Sequence, residues 1–107
     1  MQKFMVFYVA PVSAEQQMNV SAEERQKGME PWLKWMDRCG KALVDGGAPL
    51  GKSARFVKGT KSKTLTQVTG YSVLQAESMD AVKSMIADHP HHMMPGPSIE
   101  VFECLPM

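Results

Sequence analysis

The chain has few of the residues from which catalytic and metal sites are usually assembled. Its two cysteines, Cys39 and Cys104, show neither CxxC spacing nor a metal-finger pattern. One falls in an expected helix and the other in an expected strand. The plain reading is two buried thiols in a reducing compartment, where disulfides are rare. All three histidines, His89, His91 and His92, fall within four residues. No apolar run approaches the ~20 residues of a membrane span. The opening stretch Lys3–Ala10 lacks the cleavage site of a signal peptide, so a cytoplasmic location is expected. The formal net charge is only +1. A field that weak gives no reason to expect nucleic acid or a membrane surface as partner. GxGxxG, P-loop, GxSxG and HExxH patterns are all absent, which excludes the recognisable nucleotide-binding, hydrolase and zincin mechanisms.

What is present suits one soluble domain over residues 1–107, with 44% hydrophobic and 21% charged residues. Ten methionines are many for this length. Methionine fills irregular gaps and adaptable apolar surfaces, which points towards an interface or an apolar pocket.

Lys3–Ala10 reads KFMVFYVA. Phe4, Val6 and Tyr8 share one face of a strand, and Met5, Phe7 and Val9 the other. Both faces are apolar, so this strand expects cover on both sides. Pro11–Val20 reads as a loop with room for one helical turn. Ser13–Gln16 and Ser21–Glu24 have the form of capping boxes. Helical spacing of Met29, Trp32, Leu33, Met36, Cys39 and Leu43 then predicts a helix to about Val44. Pro31 should break it near Met29–Glu30, and Gly46–Gly47 should stop it. Ala48–Val57 is the expected second strand, Gly59–Lys63 a polar turn, and Thr64–Ala76 a third strand, the two strands forming a hairpin. Ser78 caps a second helix with an apolar stripe of Met79, Val82, Met85 and Ile86, which Pro90 ends. His91–Pro97 reads as a loop. In the last strand, Ser98–Leu105, Ile99 and Val101 oppose Phe102 and Cys104.

The order is therefore β-α-β-β-α-β. This is an α+β fold of ferredoxin-like type, an antiparallel sheet with two helices on one face. Nothing is left to cover the other face, and an exposed apolar face usually marks an interface. A homodimer packed through the open sheet face follows, unless the loops Pro11–Val20 and His91–Pro97 fold over it.

Several stretches resemble the YCII-related, or DGPF-domain, family of dimeric α/β-barrel proteins. They are KFMVFYVAP, EPWLKWMDRCGKALVDGGAPL, VTGYSVLQAESMDAV, the DHPHH turn and IEVFECLP. The likeness runs collinearly over nearly the whole chain and implies a single YCII-like domain. Most members have no assigned reaction. Some carry a His–Asp pair proposed to act in a pocket between helices and sheet, and a dehydrochlorinase of chlorinated hydroxyquinols belongs to the family. The family histidine lies in the first helix, but Glu23–Val44 contains none, and Trp32 and Trp35 occupy the matching region. The family aspartate matches as Asp88.

Asp88, His89 and His91 are the candidate acid–base group, because histidine titrates nearest neutral pH and a carboxylate can fix its tautomer. A helix C-terminus, which favours histidine through its dipole, accounts for the same residues. Adjacent histidines rarely converge on one ion, so no metal is assigned to His89, His91 and His92. Tyr8, Trp32, Trp35 and Tyr71 supply aromatic walls with polar tips for a ligand pocket, or plain core packing. Lys52, Arg55, Lys58, Lys61 and Lys63 make the hairpin basic. Arg55 is the candidate anchor for an anion, although a solvated face that discourages edge-to-edge aggregation also explains the run.

Two functions stay open. One is cofactor-independent lyase- or isomerase-type chemistry on a small anionic organic compound. The other is a non-catalytic ligand-binding or interaction module on the same dimeric scaffold.

Overall fold

The computed structural model describes residues 1–62, 67–94 and 96–107. The expected start of the third strand at Thr64 and the basic Lys63 lie outside the described residues, as does Pro95 of the expected His91–Pro97 loop. Strand β1 (Gln2–Val9) lies at the centre of a four-stranded antiparallel sheet. It pairs on one side with β5 (Val68–Ala76) and on the other with β6 (Ser98–Glu103). The short β2 (Leu43–Asp45) completes the order β2-β5-β1-β6. Helices α2 (Ala22–Cys39) and α3 (Met79–Ile86) cover one face. The arrangement is a mixed α+β fold consistent with the ferredoxin-like expectation.

The alternation read from the sequence positions the core. Phe4, Val6 and Tyr8 are buried and meet Leu74, Ser72 and Gly70 on β5, and Val101 and Ile99 on β6. Trp35 and Val82 close the core from the helices. The Trp35 indole N–H donates to the Met85 carbonyl at 2.9 Å. It thereby occupies one of the carbonyls that the end of α3 leaves free and ties the two helices together.

Three expected features are corrected. The second strand of the sheet is Leu43–Asp45, where the sequence suggested the end of a helix, and not Ala48–Val57. From the latter segment the sheet receives one bridge, Pro49 to Gly70, with the Leu50 N–H donating to the Thr69 carbonyl. Its end, β3 (Arg55–Val57), pairs with β4 (Thr60–Ser62) in a separate ribbon. Second, Pro31 does not break the first long helix. Residues 21–31 are all exposed, so water can serve the carbonyl that the missing proline N–H leaves unpaired. The helix stops instead at Gly40, whose φ of +54° is a left-handed conformation. Third, Cys39 is half-buried, but Cys104 is exposed.

Pro11–Val20 holds one short helix, α1 (Ala14–Met18), capped by Ser13. It borders the helix-covered side of the sheet and leaves the other face open. There Phe7 and Phe102 pack edge to face at 5.7 Å, beside Met5, Tyr71 and Val73, and Phe102 is 54% exposed. Among the described residues no helix is long and apolar enough to cross a membrane.

Candidate functional site

A cavity of about 360 Å³ lies between α2 and the sheet, within the size range of small-ligand sites. Tyr8 from β1, Trp32 and Met36 from α2, and His91 from the short 3₁₀ turn Pro90–Met93 form its inner wall. Met18 and Met29 border it further out, with Glu24 and Arg25 on its exposed edge. The methionine excess is thus partly explained by an adaptable apolar lining.

The histidine turn is organised by its own hydrogen bonds. The His91 ring Nε2 lies 2.9 Å from the Val9 carbonyl and 3.1 Å from that of Ser98. Carbonyls only accept, so Nε2 carries the hydrogen, and in the neutral ring Nδ1 is left with a lone pair. Among the described residues no group donates to that nitrogen. His89 is held the opposite way round. Its Nδ1 accepts the His91 backbone N–H at 2.9 Å, which puts the hydrogen of the neutral ring on Nε2. Among the described residues that nitrogen is buried without a hydrogen-bond partner. The rings of Trp35, Trp32 and Tyr8 pack around the imidazole, with ring centroids 4.3, 4.4 and 4.7 Å from its own. Burial, with help from the His91, His92 and Arg38 charges, pushes the His89 pKa down to about 3. His89 is therefore a neutral structural ring whose lone pair is already in use.

Tyr8 ends a short relay. The Ser72 hydroxyl donates to the Gly46 carbonyl at 3.0 Å, so the Tyr8 hydroxyl, 2.8 Å from Ser72 Oγ, must be the donor of that pair. Its oxygen keeps an acceptor site. Burial pushes the phenol up to about 12, against the lowering effect of the Ser72 bond, so Tyr8 stays protonated at neutral pH.

The other sequence candidates disperse. Asp88 is exposed and pairs with Arg38 at 3.0 Å, and among the described residues it makes no hydrogen bond to an imidazole. Trp35 is core. Tyr71 borders the cavity, but alternation with Gly70 and Ser72 places its side chain on the open face. Arg55 lies exposed on the β3–β4 ribbon with Lys58 and Lys61, Lys52 is exposed before it, and none of the four borders the cavity. His92 donates to the Ile86 carbonyl at 3.0 Å, a helix-capping role. Among the described residues no three metal-ligating side chains gather.

Comparison with solved structures gives a likeness over nearly the whole chain. A 5-chloro-2-hydroxyhydroquinone dehydrochlorinase from Burkholderia phenoliruptrix AC1100, solved in complex with 2,5-dihydroxybenzoquinone, matches with a TM-score of 0.52. The match covers 94% of this chain and 91% of that one at 14% sequence identity. At that identity the likeness shows the fold alone. No protein-family model and no curated protein matches the chain.

Of the sequence candidates, Tyr8, Trp32, Tyr71 and His91 border the cavity, and so does Arg25, which the sequence did not single out. No local signal separates Arg25 from the other cations. It borders the cavity together with other residues of α1 and α2.

Proposed function

We propose that the chain is a YCII-related protein on a dimeric α/β-barrel scaffold. In this reading its cavity performs cofactor-independent proton transfer, of lyase or isomerase type, on a small anionic ring compound in the cytoplasm. His91 carries the reading: it borders the cavity, its tautomer is fixed by two carbonyls, and Nδ1 is free to accept a proton. Tyr8 and Trp32, whose rings meet edge to face at 4.9 Å, support a flat occupant, and Arg25 supplies a cation at the edge. In the reaction Nδ1 takes a proton from the bound compound and returns it to the product.

The likeness to a dehydrochlorinase that binds a hydroxyquinone suggests the probe. In calorimetry 2,5-dihydroxybenzoquinone should bind the parent protein. In D2O the protein should speed exchange of the ring hydrogens, followed by proton NMR. His91→Asn should bind within about threefold but exchange about a hundredfold more slowly, the lower range for a lost general base. Binding without faster exchange would move the protein to the second reading, a non-catalytic binding module. That reading is favoured by Asp88, which pairs with Arg38 and leaves His91 without a carboxylate behind it. No binding at all would remove the ring-compound site and leave, of the second reading, only an interaction module.

The dimer belongs to the same proposal. The helices all lie on one face, and the open face carries Met5, Phe7, Tyr71, Val73 and Phe102. A second copy, open face to open face, is the occupant that fits it. Light scattering should give twice the 11.9 kDa chain mass, and Phe102→Glu should halve it. A parent protein that runs as a single subunit ends the dimer.

A further inference from the structure

We propose that Gly28 sets the width of the ligand cavity, so that an acidic ring compound carrying a second fused ring can lie against the bare backbone of α2. The inference rests on the reading of this cavity as a site for acidic ring compounds, and it goes further by naming their size.

Glu24, Gly28, Trp32 and Met36 stand four residues apart along α2, so they form one stripe of the helix, and all four border the cavity. One turn before Trp32, that stripe should carry another large apolar residue. It carries no side chain at all. Glycine inside a helix is among the least favourable choices, and a steric reason usually compensates. None exists among the described residues: a Cβ built on Gly28 meets none of their atoms within 4 Å. Its φ is not in the left-handed range either, unlike those of Gly40, Gly47, Gly59 and Gly96. Neither packing nor backbone conformation demands glycine at this place. The space it leaves is continuous with the cavity of about 360 Å³, which is larger than a single six-membered ring fills. A ring stacked near Tyr8 and Trp32 therefore has room to extend past Gly28 towards the exposed edge that Glu24 and Arg25 border.

Two substitutions and two probes test this. Gly28→Ala should raise the melting temperature by a few degrees, because it restores helix propensity without a clash. Gly28→Leu should stay folded and fill the space. Calorimetry with 2,5-dihydroxybenzoquinone and its two-ring counterpart 2-hydroxy-1,4-naphthoquinone then separates the outcomes. The parent protein should bind both. Gly28→Leu should lose at least tenfold affinity for the two-ring compound and less than threefold for the single ring. Equal losses for both, or none for either, overturn the role of Gly28, as does a parent protein that binds only the single ring. A lower melting temperature for Gly28→Ala overturns it too, since the glycine would then serve the fold. A parent protein that binds neither probe defeats the reading of the cavity itself, and this inference falls with it.

Discussion

Replacing Gly47 with alanine is expected to lower the melting temperature by about 10–25 °C. Gly47 follows β2 with φ of +79°, a left-handed conformation that costs a residue with a Cβ about 1–2 kcal/mol. Its surroundings raise the cost. A Cβ there would lie 1.6 Å from the Tyr71 carbonyl oxygen and 3.3 Å from Ser72 Cα. These are backbone atoms of β5 and cannot swing aside as a side chain can. Forcing β5 away costs a further 1–3 kcal/mol or so, and for a domain near this size each kcal/mol moves the midpoint by roughly 4–8 °C. The site suffers as well, because the Gly46 carbonyl anchors the Ser72–Tyr8 relay one residue away. Gly59→Ala separates the two causes. Gly59 has φ of +84° but open space around it, so only the conformational part of the loss should appear. If Gly47→Ala melts no lower than Gly59→Ala, β2 and β5 do not approach as closely as described.

That contact also shows what the sequence could and could not disclose. Features with a period or a local chemical signature were legible. The Phe4–Val6–Tyr8 alternation placed the core face. Ser13, Ser21 and Ser78 each accept the backbone N–H three residues on, at 3.1 Å, as their capping patterns predicted. Of the stripe of Met79, Val82, Met85 and Ile86, the last three pack on the core as spaced, whereas Met79 is exposed. Features that depend on distant partners were not legible. A three-residue strand such as Leu43–Asp45 is too short to show a period, and only pairing with Leu74 and Val73 makes it one. Pro31 reads as a helix breaker unless its turn is known to face water. Asp88 reads as the neighbour of His89 but pairs with Arg38, fifty positions earlier in the chain. Residue type identified His91 as a base candidate, whereas its tautomer is set by carbonyls of Val9 and Ser98 that only the fold brings there.

His89 should make stability fall on mild acidification. Its folded pKa of about 3 lies below the ordinary imidazole value of 6.5, so between these limits the unfolded chain binds a proton that the folded chain refuses. Stability then rises with pH across the window. The contribution is whole above about pH 6.5 and is lost progressively as pH falls towards 3. Each pH unit inside the window is worth about 1.4 kcal/mol, so moving from pH 6.5 to 4.5 should cost about 2–3 kcal/mol through this ring alone. His89→Phe keeps the shape and removes the titration. It should be less stable at pH 7, because the His91 N–H loses its acceptor. Denaturant midpoints from pH 7.5 to 4.5 should nevertheless be flatter for the variant, by that same 2–3 kcal/mol. The comparison of slopes also cancels the carboxylates and the other histidines, which both proteins share. If parent and variant lose stability in parallel, the imidazole accepts its proton inside the folded protein. The cage of Trp32, Trp35 and Tyr8 must then admit water, and His89 would recover the acid–base competence that its buried position denies it.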